Sequence, residues 1–157
     1  ILVVGAGGAT RGIIQPLLSL HPALIVIANR TKAKAYELAQ EFLESKVQGR
    51  GLDEISDYRF DLIINATSST LIGQSPELPN GILALSGCCY DLAYGYCPNP
   101  FLQWGKQQGA KFLSDGIGML VEQAAESFYL WRDIRPPTKE ITALLRQKFG
   151  AIDNYSQ

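Results

Sequence analysis

The fold is decided by the first ten residues, Ile1-Leu2-Val3-Val4-Gly5-Ala6-Gly7-Gly8-Ala9-Thr10. Ile1–Val4 is an apolar, largely β-branched run stopped at once by glycines at 5, 7 and 8, which reads as a strand. From Ala9 to about His21 the apolar residues Ile13, Ile14, Leu17 and Leu18 recur at helical spacing. A helix is therefore expected there, bent where Pro16 removes a backbone hydrogen bond. A strand passing through a glycine turn into a helix is the context that a dinucleotide fingerprint requires. Gly5 permits the tight turn, and Gly7 removes a Cβ that would hold a pyrophosphate away. The amides and dipole of the helix start attract the anion. The third small position, five beyond Gly5, is Thr10 rather than Gly or Ala, so the strict pattern fails at that point.

Working outward, short β-branched runs alternate with amphipathic stretches. Residues 24–28 read as a second strand and 32–45 as a second helix, with Ala35, Leu38, Ala39 and Phe42 on one side. A short third strand is expected at 46–48, a fourth at 61–66, and a turn-rich segment at 67–80 containing Gly73, Pro76 and Pro79. A fifth strand is expected over 87–92. Asn99 caps a helix over 100–108 with Pro100 as its first residue. A last strand at 111–113 precedes a long helix over 116–132, which stops before Pro136-Pro137. Thr138 caps a closing helix to about Phe149, and 151–157 reads as a frayed tail. This alternation calls for an α/β fold of the Rossmann type: a doubly wound, mostly parallel sheet with helices on both faces. Residues 1–150 are one dinucleotide-binding domain and 151–157 its tail.

Composition narrows the function class. The chain has 157 residues, 46% hydrophobic and 18% charged, with net charge −1. That balance speaks against nucleic acid as a partner, because phosphate neutralisation needs a surplus of Lys and Arg. Any positive charge that matters must be local. No apolar run approaches the ~20 residues of a membrane span, and no signal-peptide pattern opens the chain. Cys88, Cys89 and Cys97 are odd in number, and Cys88 and Cys89 point to opposite faces of a strand. A disulfide framework is not expected, and a cytoplasmic location fits. With a lone His21 and no Cys-x-x-Cys pair, no metal site is expected. The chain opens without Met directly on a strand, which suggests a piece of a longer protein.

Cofactor choice is read at the end of the second strand. An NAD-binding domain places Asp or Glu there to accept hydrogen bonds from the ribose. This chain has Asn29-Arg30-Thr31, with Lys32 and Lys34 following. Arg30 can pair with a 2′-phosphate and lay its guanidinium over an adenine. Thr31 adds a hydroxyl and Lys34 a second positive charge. The favoured ligand is NADP.

Five segments together resemble the shikimate dehydrogenases: GAGGATRG at 5–12, NRTKAK at 29–34, FDLIINATSS at 60–69, YDLAY at 90–94 and DGIGMLVEQAA at 115–125. The first two are shared with other NADP enzymes, and the last two are the specific ones. The resemblance implies that Gly5, Ala6, Gly7, Gly8 and Ala9 hold the pyrophosphate, and Asn29 to Lys34 the 2′-phosphate and adenine. It also implies that Ala66, Thr67 and Ser68 border the cofactor, and that Leu92, Gly116 and Met119 line the nicotinamide pocket. Tyr94 and Gln123 would reach the substrate. Spacing agrees for Gly116, Met119 and Gln123, which share one helix face. Gly116 would leave room for a flat ring, and Met119 would give it an adaptable apolar contact.

In that family the catalytic Lys–Asp pair belongs to a domain that precedes the glycine loop, so no catalytic residue is assigned here. Asp61, Asp91 and Asp115 do not match its positions; Asp91 and Asp115 sit near strand ends, where they fix loops or cap helices. The segment Tyr96–Pro100 departs from a Pro-x-x-Thr pattern common in the family. The implied activity is reversible reduction of 3-dehydroshikimate to shikimate by NADPH, with the substrate shared between two domains. The resemblance leaves open a homodimer of the whole enzyme. Three rivals stand beside this reading. An NAD-using quinate/shikimate enzyme would place an acidic residue after the second strand. A glutamyl-tRNA reductase domain would lack the 115–125 block. A dinucleotide sensor would need an effector surface, and no long exposed apolar stretch suggests one.

Overall fold

The computed structural model describes residues 1–95 and 98–150. The expected tail at 151–157 and the departure at Tyr96-Cys97 lie outside the described residues. Among the described residues six strands form one sheet: β1 (Leu2–Val4), β2 (Ile25–Asn29), β3 (Val47–Gly51), β4 (Phe60–Asn65), β5 (Leu83–Asp91) and β6 (Phe112–Ser114). Five helices join or follow them: α1 (Gly8–Leu18), α2 (Lys32–Gln40), α3 (Pro100–Gln107), α4 (Ile117–Arg132) and α5 (Lys139–Phe149). The strand order is β3-β2-β1-β4-β5-β6, and every pairing is parallel. This is the Rossmann-type doubly wound sheet, which reverses direction between β1 and β4.

The β-branched runs form strands because both faces are covered. Along β1, Leu2 and Val4 enter one apolar cluster and Val3 the other. Along β2, Val26 and Ala28 likewise oppose Ile25 and Ile27. The helices α1 and α2 cover one face with Ile14, Ala35 and Leu38, while α3 covers the other with Phe101 and Leu102. Each fully buried aliphatic side chain contributes about 1.5–3 kcal/mol. Asn99 caps α3 as expected, its Oδ1 accepting the Leu102 amide at 3.0 Å.

α1 stops at Leu18, short of His21, and three further elements differ more from expectation. α2 ends at Gln40, five residues early, because the chain must turn back to start β3. Leu43 takes φ +49° and lies exposed, and the Val47 amide bonds the Glu44 carbonyl at 2.9 Å. β3 continues to Gly51 although Gly49 and Gly51 have poor strand propensity. A Cβ on Gly49 would lie 2.5 Å from the Ala35 carbonyl and Tyr36 Cα, so the glycine lets α2 rest directly on the sheet. β5 begins at Leu83, four residues early, and bulges against β4. Phe60 pairs with Leu83 but Leu62 pairs with Cys88, while Leu85 stands out fully exposed and Ser86 takes φ +65°.

Leu130 and Trp131 in α4, Ile134 beyond it and Leu144 in α5 are all exposed. Among the described residues no helix is long and apolar enough to cross a membrane.

Gly49→Ala is expected to lower unfolding free energy by about 1–3 kcal/mol in urea denaturation, through overpacking against α2. Strand propensity alone favours alanine over glycine, so the sign of the change decides between the two effects.

Candidate functional site

In a parallel sheet all strands end on the same edge, and the crevice at the reversal between β1 and β4 is where ligands sit. The register sets Val4 beside Asn65, Asn65 beside Asp91, Asn29 beside Gly51 and Tyr90 beside Ser114. The residues expected to hold cofactor or substrate therefore lie on or beyond one rim, whereas Asp61 sits at the opposite end of β4. Gly5–Ala9 follows β1, Asn29–Lys34 follows β2, Ala66–Ser68 follows β4, and Leu92 and Tyr94 follow β5. Gly116 follows β6, with Met119 and Gln123 one and two turns into α4.

The glycine loop is built to be approached. Gly5 takes φ +109°, and a Cβ there would lie 3.1 Å from both the Ala66 carbonyl oxygen and Thr67 Cγ2. The first loop thus rests on the loop after β4, which only glycine permits. At Gly7 and Gly8 a Cβ would meet nothing within 4 Å, so the protein itself does not fill that space. α1 starts at Gly8 with no acidic residue in its first turn and no side-chain cap. Its first amides have no intrahelical partners and are available to an anion. Open space at Gly7 and Gly8 and unpaired helix-start amides are features that suit a pyrophosphate. Thr10, the departure from the strict pattern, is fully buried, and its hydroxyl donates to the Gly5 carbonyl at 2.8 Å. The hydroxyl ties the turn together, so a small residue is not required there.

At the end of β2 the Asn29 side-chain amide donates to the Thr31 carbonyl at 3.0 Å and shapes the turn into α2. Arg30 and Lys34 are exposed, and the first turn of α2 carries no acid. Lys32 behaves differently: its ammonium forms an ion pair with Glu54, beyond β3.

Beneath the rim lies a buried polar cluster. Asp91, at the end of β5, is completely buried. Its Oδ2 accepts from Thr70 Oγ1 at 2.6 Å, Asn99 Nδ2 at 3.0 Å and Asn65 Nδ2 at 3.2 Å. Its Oδ1 accepts from the Ala93 amide at 2.9 Å. Asn65 in turn accepts from the Thr67 amide at 3.1 Å and the Thr67 hydroxyl at 2.7 Å, and that hydroxyl meets Ser69 Oγ at 2.7 Å. Asp91 therefore fixes loops, as the sequence suggested, but the reach of its network was not legible. Thr70 lies outside every motif quoted, and Asn65 lies inside one without an assigned role.

Gly116 also has a reason within the fold to be glycine. A Cβ there would fall on the Leu92 carbonyl oxygen, and the Gly116 amide donates to the Ala93 carbonyl at 3.1 Å. The space is taken by the chain itself, which brings the ends of β5 and β6 together. Asp115, nearly buried, accepts the Ile117 amide at 3.1 Å and caps α4. Met119 is half-buried, and Tyr94 and Gln123 are exposed. Burial pushes the Asp115 carboxyl above its ordinary 3.8, opposed by the Ile117 amide.

Two outcomes are expected from this geometry. Asp91→Asn turns an amide donor towards existing donors and should cost about 2–4 kcal/mol in denaturant unfolding. The raised Asp115 pKa means the folded state holds that proton more tightly than the unfolded chain. Its contribution to stability should then fall as pH rises from 3.8 through the raised value. Asp115→Asn keeps an acceptor for Ile117 and should flatten that part of the stability–pH curve.

Comparison with known proteins agrees with this arrangement. The model of the shikimate/quinate 5-dehydrogenase family matches residues 1–77, and that of the shikimate 5′-dehydrogenase C-terminal domain matches 116–146. Together they take in well over half of the chain. The shikimate dehydrogenase (NADP(+)) of Cellvibrio japonicus is 52% identical over 149 residues, covering 94% of this chain and 54% of that protein. The crystal structure of an Ael1 enzyme from Pseudomonas putida superimposes with TM-score 0.84 at 44% identity, over 92% of this chain and 53% of that one. The shikimate 5-dehydrogenase of Thermus thermophilus, in complex with NADP(H) and shikimate, gives TM-score 0.74 at 31% identity, over 93% of this chain and 54% of that one. The chain spans about half the length of the curated relatives it matches. With the glycine cradle, the Asn-Arg-Thr turn and the 115–125 helix start all on one rim, the chain belongs to the shikimate dehydrogenase family.

Proposed function

We propose that this chain is the NADP(H)-binding domain of a shikimate dehydrogenase, residues 1–150 forming one domain of a two-domain enzyme. The observation that carries the reading is an open glycine cradle beside a β2 end that bears Arg30 and Lys34 and no carboxylate. A carboxylate at that turn would repel a 2′-phosphate, whereas a guanidinium pairs with it through two parallel hydrogen bonds. Gly5–Ala9 hold the pyrophosphate on the α1 amides, and Asn29–Lys34 enclose the adenosine end. Ala66, Thr67 and Ser68 border the cofactor across the crevice, their loop held in place by Asn65. Leu92, Gly116 and Met119 shape the wall against the nicotinamide, and Tyr94 and Gln123 face the substrate.

When bound, the nicotinamide supplies hydride to the carbonyl carbon of 3-dehydroshikimate. Orientation and exclusion of water fall to this chain, while proton transfer falls to an acid–base pair carried by the rest of the enzyme. Neither Asp91 nor Asp115 is free to serve as that base. Asp91 is held by four donors and Asp115 by a helix amide.

Calorimetric titration with NADP+ and NAD+ tests the reading. Arg30→Ala should weaken NADP+ binding about ten- to hundred-fold, the worth of a charge-assisted contact, and leave NAD+ nearly unchanged. Equal weakening of both would refute the 2′-phosphate role. Residues 1–157 alone should bind NADP+ without dehydrogenase turnover, and measurable turnover would contradict the division of labour.

A further inference from the structure

Of the three cations in the Asn29–Lys34 turn, Lys32 is already engaged. Among the described residues Arg30 and Lys34 take part in no ion pair, while the Lys32 ammonium pairs with Glu54 Oε1. It also lies 5.5 Å from the centre of the Tyr36 ring. Glu54 belongs to the short 3₁₀ turn Leu52–Glu54 that follows β3, and Gly51, the last residue of β3, sits in register with Asn29. The β3 end thus reaches across to the cofactor turn at the outer edge of the sheet.

Glu54 is anchored independently of Lys32. Its Oε2 accepts the Gly51 amide at 2.7 Å and the Tyr36 hydroxyl at 3.4 Å. The Gly51 amide, and after it Lys32, hold its carboxyl below the ordinary value. An acceptor fixed to the backbone cannot follow its lysine, so Lys32 reaches a bound phosphate only by leaving Glu54. Lys32 lies on a flexible four-carbon stem with half its side-chain surface exposed, so both positions are open to it.

We propose that Glu54 tunes the NADP+ over NAD+ preference of this chain by holding Lys32 away from the 2′-phosphate. The proposal rests on the 2′-phosphate reading of the Arg30 turn. Arg30 and Lys34 supply the standing affinity, and Lys32 is a reserve cation whose contribution is reduced by the pair it must give up. Glu54 acts through Lys32 and touches no ligand, so it is a positioning residue for specificity.

The test titrates NADP+ and NAD+ into wild type, Glu54→Gln, Lys32→Gln and the double variant. Glu54→Gln retains a side-chain oxygen for the Gly51 amide but loses the charge that holds Lys32. This substitution should tighten NADP+ about three- to five-fold, the size of an exposed ion pair given up on binding, with NAD+ unchanged. In the Lys32→Gln background the same substitution should give no gain. An unchanged NADP+/NAD+ ratio in Glu54→Gln would overturn the proposal, as would a gain that persists without Lys32, which would mean direct repulsion. Equal weakening of both cofactors would reduce Glu54 to a brace for the β3 turn and overturn it too. A wild type with no NADP+ preference would sink the parent reading, and this inference with it; preference without a Glu54 effect sinks the inference alone.

Discussion

The rim on which everything else is arranged hangs on one buried carboxylate. Asp91 is completely shielded from water and is held by three side-chain donors and one amide. A carboxyl group in such a place is tolerable only when its polar atoms are satisfied, and a cluster of this kind is worth most when every member is paired. Each donor comes from a different piece of the rim: Asn65 from the end of β4, Thr70 from the crossover, Asn99 from the start of α3, and Ala93 from the loop beyond β5. The crossover between β4 and β5 has no α-helix to give it shape, only a short 3₁₀ turn at Ser69–Ile72. The hydrogen bonds to Asp91 and Asn65 stand in for the missing helix and hold Thr67 beside the glycine loop.

Close backbone approach is the second constraint, and it works at two points. Gly5 lets the loop after β1 rest on the loop after β4, and Gly116 lets the start of α4 meet the carbonyl of Leu92. Each brings two neighbouring strand ends closer than any residue with a side chain would allow. The crevice between β1 and β4 is therefore walled by segments that brace one another. The dinucleotide site proposed here would gain from such preorganisation, because less ordering remains to be done on binding.

Much of this was legible in the sequence, and the parts that were not share a cause. Strand–glycine–helix order, the Asn99-Pro100 helix start and the alternation along β1 and β2 are local signals, and they placed the sheet, its helices and the rim residues. Gly49 fell outside the expected third strand because its value lies in an α2 backbone contact that no local pattern records. The early start of β5 was hidden by Ala84-Leu85-Ser86, which bulges out between two paired stretches. The contact of Gly116 with the Leu92 carbonyl was equally hidden, because it joins two segments far apart in the chain. Thr10 read as a defect in the fingerprint because its hydroxyl bond to Gly5 is a tertiary fact. The Lys32–Glu54 pair joins residues from two different strand ends, and a basic run viewed along the chain gave no reason to separate Lys32 from its neighbours.

A chain of net charge −1 can still present an anion-receptive rim, because several carboxylates around it are individually engaged. Glu41 is paired with Arg11 at 2.6 Å, Glu54 with the Gly51 amide and Lys32, Asp115 with the Ile117 amide, and Asp91 with its four donors. The N-terminal ends of α1 and α2 carry no acid in their first turns, so their partial positive charge is not cancelled from within. What remains for a ligand is two helix starts, Arg30 and Lys34, against a background that is nearly neutral. Selectivity for a phosphate-rich ligand then follows from where charge is left unpaired, and the total charge of the chain has little to do with it.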